Sequence, residues 1–432
     1  MNRPQITAFL KALHETQYLS PDRMTAYQRR LLDTLLRHAR AETAFYPDRL
    51  ARIFHAGDGI DWDLWQEIPI LTREEVQQNF ERLSARFLPP AAGEAVEDTS
   101  SGSTGRPVRH LTTDLQNLGS ACCSERFFRW HGLRPEALAA RIRATNDPES
   151  AYPNGRLRQC WRVGHDKSPV MDLTIATTPA GQIDWLQRIK PAYLASYPSN
   201  LRELARLATD TGEALHFDLV LTWGEMISED MRRAIRDYFG KEPLDRYGAA
   251  EVGHISGICP VSHRHHVSSE LVLLEILDDG GNPLEPGEEG RIVVTPFYNL
   301  AMPLIRYDIG DRGVLSAEPC ECGRTLPVIE RLLGRTRNMF RFADGTACWP
   351  VLLANEMRLF VAFRQFQTVQ RSHTEIEFRY VPAQSGQIND LDGLTAYMRK
   401  RLHPSVNVTM TTADRIERSP SGKYEDYLSL VN

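Results

Sequence analysis

The chain has 432 residues, 42% of them hydrophobic and 25% charged, and its formal net charge is −5. This length predicts two or three domains, and the acidic balance disfavours a general nucleic-acid-binding protein. The sequence has no apolar run near the ~18 residues of a membrane helix. It also begins without the apolar core of a signal peptide, so we expect a cytoplasmic protein with no membrane partner.

Helical signals dominate the first 130 residues of the chain. Ser20 is a suitable N-cap and Pro21 suits a first helical turn, which predicts a helix over 20–45. Thr72 and Glu75 have the spacing of a capping box, which predicts a helix over 72–83. A third helix is expected over 113–130, where it ends before Gly132.

From residue 190 the pattern alternates between short apolar runs and amphipathic segments. Strands are predicted over 193–197, 219–223 and 244–247, and helices over 200–209 and 228–239. This alternation is typical of an α/β layer with a largely parallel sheet. Ligands of such sheets bind beyond the carboxyl ends of the strands.

The character of the chain changes after residue 270. Strands over 271–277, 290–297 and 304–307, joined by turn residues, predict a meander or small barrel. Beyond Gly334 a last unit mixes strands (374–381 and 406–410) with a helix (391–402). We therefore expect an α/β protein with a large N-terminal domain of α/β layers (1–333), an attached small β meander or barrel, and a small α+β C-terminal domain (334–432).

The run 100–107, Ser-Ser-Gly-Ser-Thr-Gly-Arg-Pro, exposes backbone N–H groups and hydroxyls with little obstruction. That composition suits a loop around polyphosphate oxygens. Neither a Walker A loop nor a Rossmann fingerprint occurs in the chain. The alternative is a flexible surface linker, which is the commoner role of a short Gly/Ser cluster.

Three later motifs carry charged groups beside predicted strands or turns. Glu251 follows a strand in Tyr247-Gly248-Ala249-Ala250-Glu251, where a carboxylate suits Mg²⁺ beside nucleotide phosphates. Asp311 follows the strand predicted over 304–307, where it suits two ribose hydroxyls. Lys423 lies in a Ser-Gly-Lys turn and suits a negatively charged transition state. Each has a plain alternative as a solvated loop or turn residue.

The order and spacing of these motifs, with Gly334-Arg335 between the last two, are more specific than any one of them. The set resembles the adenylate-forming superfamily, which contains acyl-CoA synthetases, luciferase and peptide-synthetase adenylation domains. Within it the chain is similar to the phenylacetate–CoA ligase family and its capsule-biosynthesis relatives. Supporting stretches are 194–200, 222–225 and 301–307.

The resemblance implies roles for individual residues. Lys423 would bridge the carboxylate and the α-phosphate of ATP, and Glu251 would accompany Mg²⁺. Asp311 would bind the ribose hydroxyls, and Arg335 would stand at the domain junction. Nucleotide binding as a whole is assigned to Ser100, Ser101, Gly102, Ser103, Thr104, Gly105, Arg106, Gly224, Glu225, Tyr247, Gly248, Asp311 and Arg335.

The chain departs from the family pattern at several positions. Arg106 replaces a lysine, Ala250 replaces a hydroxyl residue, and Arg337 with Asn338 replaces two aspartates. The stretch 344–350 also differs from the glycine-rich loop of the CoA ligases and is closer to the capsule-type relatives. CoA as the acyl acceptor is therefore a less direct expectation than adenylation.

The chain has seven cysteines and no secretion signal, which disfavours a disulfide framework. Cys259, His266, Cys320 and Cys322 are a Cys₃His set of the kind that holds structural Zn²⁺. Some relatives carry a similar pattern, although free thiols on a loop are the alternative and His263 and His265 compete with His266.

We therefore expect ATP-dependent activation of a small carboxylic acid to an acyl-adenylate, with release of pyrophosphate, followed by transfer to a thiol such as CoA. The first alternative is transfer to an amine, a hydroxyl or a carrier-protein thiol. The second is a degenerate nucleotide-binding protein without catalysis. The sequence does not indicate which acid is used or the oligomeric state.

Overall fold

The computed structural model of the chain describes residues 3–55, 59–100, 108–350, 352–383, 389–419 and 422–431. Its α-helices are α1 (Arg3–Thr16), α2 (Pro21–Glu42), α3 (Tyr46–Arg49), α4 (Arg73–Gln78), α5 (Phe80–Leu83), α6 (Asp114–Trp130), α7 (Pro179–Ile189), α8 (Pro198–Thr211), α9 (Glu229–Phe239), α10 (Ala354–Met357) and α11 (Leu391–Arg401). None of these described helices combines the length and hydropathy that a membrane crossing requires.

The strands are β1 (Ala95–Ser100), β2 (Val108–Thr113), β3 (Ala139–Arg143), β4 (Arg156–Arg158), β5 (Val170–Thr174), β6 (Tyr193–Ser196), β7 (Leu219–Trp223), β8 (Leu244–Ala249), β9 (Gly253–Ile258), β10 (His265–Val267), β11 (Val272–Leu277), β12 (Glu289–Pro296), β13 (Tyr307–Leu315), β14 (Val328–Arg335), β15 (Phe340–Arg341), β16 (Ala347–Cys348), β17 (Phe363–Gln370), β18 (Glu375–Pro382), β19 (Asn407–Thr412) and β20 (Tyr427–Ser429).

One sheet of twelve strands organises the larger part of the molecule, in the order β11-β12-β13-β14-β10-β9-β8-β7-β6-β3-β5-β4. Strands β5, β3, β6, β7 and β8 run parallel. Each neighbouring pair in the remaining order β8-β9-β10-β14-β13-β12-β11 is antiparallel. The α/β fold class is confirmed. The expected meander continues the parallel sheet through β9 and β10.

Helices cover both faces of the parallel strands, which is why β6 is buried along its whole length. Helices α7, α8 and α9 pack on one face around Trp185, Leu204 and Ile235. Helix α6 covers the other face with Phe127 and Phe128. The carboxyl ends of β6, β7 and β8 therefore open at one edge between two layers.

Local capping chemistry explains where several of these helices begin and end. Ser228 accepts a hydrogen bond from the backbone N–H of Met231 at the start of α9. Gly212 and Gly240 follow α8 and α9 in the left-handed conformation, at φ +71° and +65°, as helix ends commonly require.

Two predicted elements differ from the structure. The strand expected over 304–307 is wrong, because β13 begins at Tyr307 and Arg306 has a positive φ of 51°. The helix expected over 72–83 divides at Asn79 into α4 and α5, although its capping box forms at Thr72. The hairpin of β1 and β2, paired from Ala95↔Thr113 to Ser100↔Val108, was not predicted.

The C-terminal region has its own hydrophobic core. Phe340, Phe363, Phe366 and Phe378 lie in it, against α11. Its main sheet has the order β19-β18-β17-β20. Strand β14 ends at Arg335, next to the predicted domain division near 334. The division itself stays a prediction.

Candidate functional site

The site begins where β7 ends. Gly224 follows this strand with φ +81°, a conformation that glycine adopts without strain. A Cβ atom at Gly224 would lie 3.3 Å from the Tyr197 ring and 3.6 Å from Lys423 Cε. The Lys423 side chain therefore reaches the ends of the parallel strands from the far end of the chain.

Asp311 lies within β13 rather than in the expected loop. The Tyr247 hydroxyl donates a hydrogen bond of 2.8 Å to Asp311 Oδ2, and Arg335 Nε is 3.7 Å from Asp311 Oδ1. Burial raises the pKa of Asp311, and burial together with the nearby carboxylate raises the pKa of Tyr247 well above its usual value. Tyr247 is therefore a protonated donor at neutral pH. The two residues come from strands β8 and β13, which are not neighbours in the sheet.

Glu251 is buried in the turn after β8. Its Oε1 accepts a hydrogen bond of 2.9 Å from the Tyr307 hydroxyl and lies 3.5 Å from Arg73 Nη1. A Cβ at Gly248 would overlap the carbonyl oxygen of Gly253, so the tight turn requires glycine there. The chain thus holds the Glu251 carboxylate in one orientation with positive charge beside it.

Lys423 is surrounded by charges of both signs. Burial is the main reason that the pKa of Lys423 is lowered, followed by repulsion from Arg335. The carboxylates of Glu225, Glu251 and Asp311 oppose this shift. These five residues come from separate segments of the chain, and the fold gathers their charges around one ammonium group.

Glu225 links the start of α8 to the C-terminal region. It accepts hydrogen bonds from the Ser199 N–H and hydroxyl, at 3.0 Å each, and from the Tyr424 backbone N–H at 2.6 Å. Burial raises the pKa of its carboxyl group. The structure therefore places Glu225 against the residue after Lys423, while its expected role in nucleotide binding stays a prediction.

A cavity of about 550 Å³ lies between the strand ends and the C-terminal region. Gly224, Glu225, Arg335 and Lys423 line it together with Trp349. Asp311, Tyr247 and Glu251 are outside this lining. The cavity is large enough for a small organic ligand.

Part of the expected phosphate loop, Ser101, Gly102, Ser103, Thr104, Gly105 and Arg106, lies outside the described residues. Of Ser100 only the backbone is described, as the last residue of β1, paired with Val108. The role of this loop stays a prediction.

Sequence reasoning missed the ion pairs that dock the C-terminal region. Arg202 of α8 forms a bidentate, buried ion pair with Asp426 at 2.7 and 2.8 Å. Arg337, one of the departures from the family pattern, pairs with Glu425 at 2.5 Å. No local motif indicates these partners, because each pair joins residues far apart in the chain.

The four expected metal ligands lie together, with their ligand atoms all within 4.8 Å of one another. Cys259 Sγ is 3.7 Å from Cys320 Sγ, and His266 Nε2 is 3.2 Å from Cys322 Sγ. His266 Nδ1 is 3.2 Å from the Leu326 carbonyl oxygen, an acceptor that would leave Nε2 free as a ligand.

His265, the neighbouring histidine, contacts other residues. His265 lies 3.1 Å from the Ser256 hydroxyl and 3.4 Å from Asp245. The donor set of Cys259, His266, Cys320 and Cys322 therefore fits a closed tetrahedral Zn²⁺ site.

No family model matches the chain. It is 27% identical over 381 residues to the phenylacetate-coenzyme A ligase of Thermus thermophilus, covering 80% of this chain and 82% of that protein. It is 20% identical over 413 residues to protein CapK of Staphylococcus aureus, covering 92% of this chain and 87% of that protein.

Among solved structures, 2-hydroxyisobutyryl-CoA ligase in its postadenylation state, in complex with 2-HIB-AMP, has a TM-score of 0.74. It is 17% identical and covers 96% of this chain and 91% of that one. The same ligase in its thioesterification state, with CoA, has a TM-score of 0.62.

The chain therefore has the fold of the adenylate-forming superfamily. Within that class it is phenylacetate–CoA ligase-like, and the resemblance drawn from its motifs is confirmed.

Proposed function

We propose that this protein is an AMP-forming carboxylate ligase, which activates a carboxylic acid to an acyl-adenylate and then transfers the acyl group to a thiol, with CoA as the acceptor. The observation that carries the proposal is the position of Lys423. A lysine from the C-terminal region meets Gly224, Asp311 and Arg335 at the carboxyl edge of the parallel strands. Ligands of α/β sheets bind at such an edge.

In the first step a carboxylate oxygen attacks the α-phosphorus of ATP. A new P–O bond forms, and the bond to the β-phosphate oxygen breaks to release pyrophosphate. The Lys423 ammonium stabilises negative charge shared between the carboxylate and the α-phosphate. Positioning and electrostatics therefore supply most of the catalysis.

The neighbouring residues orient the nucleotide. Asp311, fixed by the Tyr247 hydroxyl, would accept hydrogen bonds from the ribose hydroxyls, and Arg335 would reach the same sugar. Glu251 would hold Mg²⁺, which shields phosphate charge when it is bound. One oxygen of Glu251 already faces Arg73 and Tyr307, so the other is the one offered to the ion.

The second step requires the C-terminal region to move, because Lys423 occupies the strand ends in the present arrangement. Similarity to the postadenylation state, above that to the thioesterification state, supports assigning this arrangement to the first step. CoA as acceptor is supported by two relatives: the phenylacetate-coenzyme A ligase of Thermus thermophilus and the 2-hydroxyisobutyryl-CoA ligase solved with CoA. The similarity to CapK keeps an amine, a hydroxyl or a carrier-protein thiol as the alternative.

Zn²⁺ at Cys259, His266, Cys320 and Cys322 would be structural, because four protein ligands close the coordination shell. It would hold the β9–β10 turn against the turn at 320–323. It takes no part in the acyl-transfer chemistry, and its contribution is to folding stability.

Pyrophosphate exchange into ATP tests the proposal directly. Within a panel of carboxylic acids, at least one should support exchange, and exchange should not occur when no acid is added. The active acid is then offered to the protein with ATP and CoA, and separately with ATP and amines. The reaction with CoA should give a thioester. Amide formation without thioester would favour the alternative acceptor, and no exchange with any acid would favour a protein that binds nucleotide without catalysis.

A further inference from the structure

A row of large side chains crosses the ends of the parallel strands on the face that α6 covers. Ser196 pairs with Thr222 and Trp223 pairs with Arg246, so Tyr197, Trp223 and Arg246 lie side by side. The Tyr197 and Trp223 rings are 5.8 Å apart between centroids. Two aromatic rings are thus followed by a cation.

Arg246 has few partners for a partly buried guanidinium. Its Nη1 donates a hydrogen bond of 3.0 Å to the Ser124 hydroxyl, and the group lies 5.2 Å from the centre of the Phe128 ring. Its Nε is buried without a hydrogen-bond partner. Within the described ranges no carboxylate is within ion-pair distance of Arg246, since Asp245 turns to Thr222 and His265.

Arg246 is protonated at neutral pH. Burial lowers its pKa to about 10, while Asp245 opposes this shift and Arg141 adds to it. A cation without an anionic partner is costly to bury, and unpaired buried donors in native proteins call for an explanation.

Two further N–H groups in this region are also without acceptors. Trp161 Nε1 is buried and unpaired, and its ring packs on Phe128 at 4.9 Å between centroids. Arg143 Nε is unpaired at the end of β3, and Arg143 shares the single carboxylate of Asp172 with other arginines. The aromatic cluster of Tyr197, Trp223, Phe128 and Trp161, which we call the slot, is therefore bordered, within the described part of the chain, by three unpaired N–H donors.

Lys423 lies beside this cluster. Gly224, which Lys423 Cε approaches, directly follows Trp223, and neighbouring strands are about 4.8 Å apart. An acid activated at Lys423 would extend over Trp223 and end one strand away, at Arg246. A hydrocarbon end group would leave Arg246 unpaired there, whereas a carboxylate would neutralise it.

We propose that the substrate is a short or flat dicarboxylic acid, with one carboxylate activated at Lys423 and the second held by Arg246. This inference rests on the proposed carboxylate activation and specifies its substrate class. The second carboxylate stays ionised and is not consumed.

The test compares each diacid with its own monomethyl ester, which keeps the shape and removes one charge. Succinate and terephthalate, with their monoesters, cover the short and the flat cases. Pyrophosphate exchange should favour the diacid, and Arg246→Gln should reduce kcat/KM for the diacid by about 10- to 100-fold, since a charged hydrogen bond is lost. The monoester should change little, and Arg134→Gln, on the exposed Arg134–Asp218 pair, is the matched control.

Calorimetric titration of the same compounds without ATP separates the two proposals. One outcome is faster exchange with the monoesters, with the same diacid-to-monoester ratio in Arg246→Gln as in the wild-type protein. That result would overturn the diacid assignment and leave carboxylate activation intact. Absence of exchange, with diacid binding that Arg246→Gln abolishes, would overturn the activation and leave the slot assignment intact. Equal binding of diacid and monoester to the wild-type protein would also overturn the slot assignment.

Discussion

At the scale of single residues, Lys423 makes the sharpest prediction. Lys423→Ala should lower carboxylate-dependent pyrophosphate exchange by about 100- to 1,000-fold, because it removes a preorganised positive charge from the reacting groups. ATP affinity, measured by calorimetry, should change less than about threefold, since the ammonium acts mainly in the transition state. Lys400→Ala, at an exposed position of α11, is the matched control. Near-normal exchange by Lys423→Ala would remove Lys423 from the reaction.

The ionisation of Lys423 gives a second prediction. Burial and Arg335 lower its pKa, so the catalytic ammonium should lose its proton below the ~10.4 of a free lysine. Exchange at saturating ATP should therefore fall as the pH rises, with a midpoint below that value. Arg335→Gln removes the repulsion and should move the midpoint upward. A midpoint that Arg335→Gln leaves in place would contradict the proximity of the two charges.

How far residues could be placed from the sequence depended on local signals. Gly224 follows β7, which an apolar run predicted, and Gly248 lies in β8, which extends beyond the predicted 244–247. Asp311 was assigned to a loop because 304–307 was read as the strand, whereas Tyr307 bridges to Leu71, far away in the chain, and begins β13. Arg246 was not singled out from the sequence, since a lone arginine gives no sign that its partners are hydroxyl and aromatic groups.

At the scale of elements, helix α8 docks the C-terminal region through a buried ion pair. Arg202→Met should lower the thermal midpoint and slow the exchange, because it leaves Asp426 buried without a partner, at a cost of about 3–5 kcal/mol. Arg188→Met on α7 breaks an exposed pair with Asp184 and should cost less than about 0.5 kcal/mol. Scanning calorimetry and exchange assays measure both effects.

A double variant makes this prediction sharper. Arg202→Leu combined with Asp426→Leu removes both charges, so part of the lost stability should return. If Arg202→Met alone leaves stability and exchange unchanged, the pair does not hold the C-terminal region over the site.

The periodic elements were the part of the fold that the sequence revealed best. Helices α6, α8 and α9 and strand β7 have apolar spacings and caps that are local properties. The contacts between α8 and residue 426 depend on two segments that meet only after the chain folds. No periodicity encodes them, which is why the docking surface was missed.

At the scale of the whole molecule, the Cys₃His cluster joins segments more than fifty positions apart, His266 and Cys320. Elemental analysis should find about one zinc per chain. Cys320→Ser should lose the metal together with thermal stability, because structural zinc contributes folding free energy. Cys160→Ser, at an exposed thiol, should keep both. Zinc-free protein with unchanged stability after growth in zinc-supplemented medium would show that these thiols are ordinary free cysteines.

Thiol and imidazole content, together with a similar pattern in some relatives, named this ligand set from the sequence, with His263 and His265 as competing ligands. The proposed diacid site could not be named from the sequence, because it depends on which face of the sheet each strand residue occupies after pairing.

The central claim, carboxylate attack on the α-phosphorus, is tested most directly by oxygen transfer. The substrate acid is labelled with ¹⁸O in its carboxylate, and one full turnover is run with ATP and the acyl acceptor. The mechanism predicts AMP that carries one ¹⁸O atom, visible as a shifted phosphorus resonance, together with unlabelled pyrophosphate. Unlabelled AMP, or ADP with labelled phosphate, would contradict it.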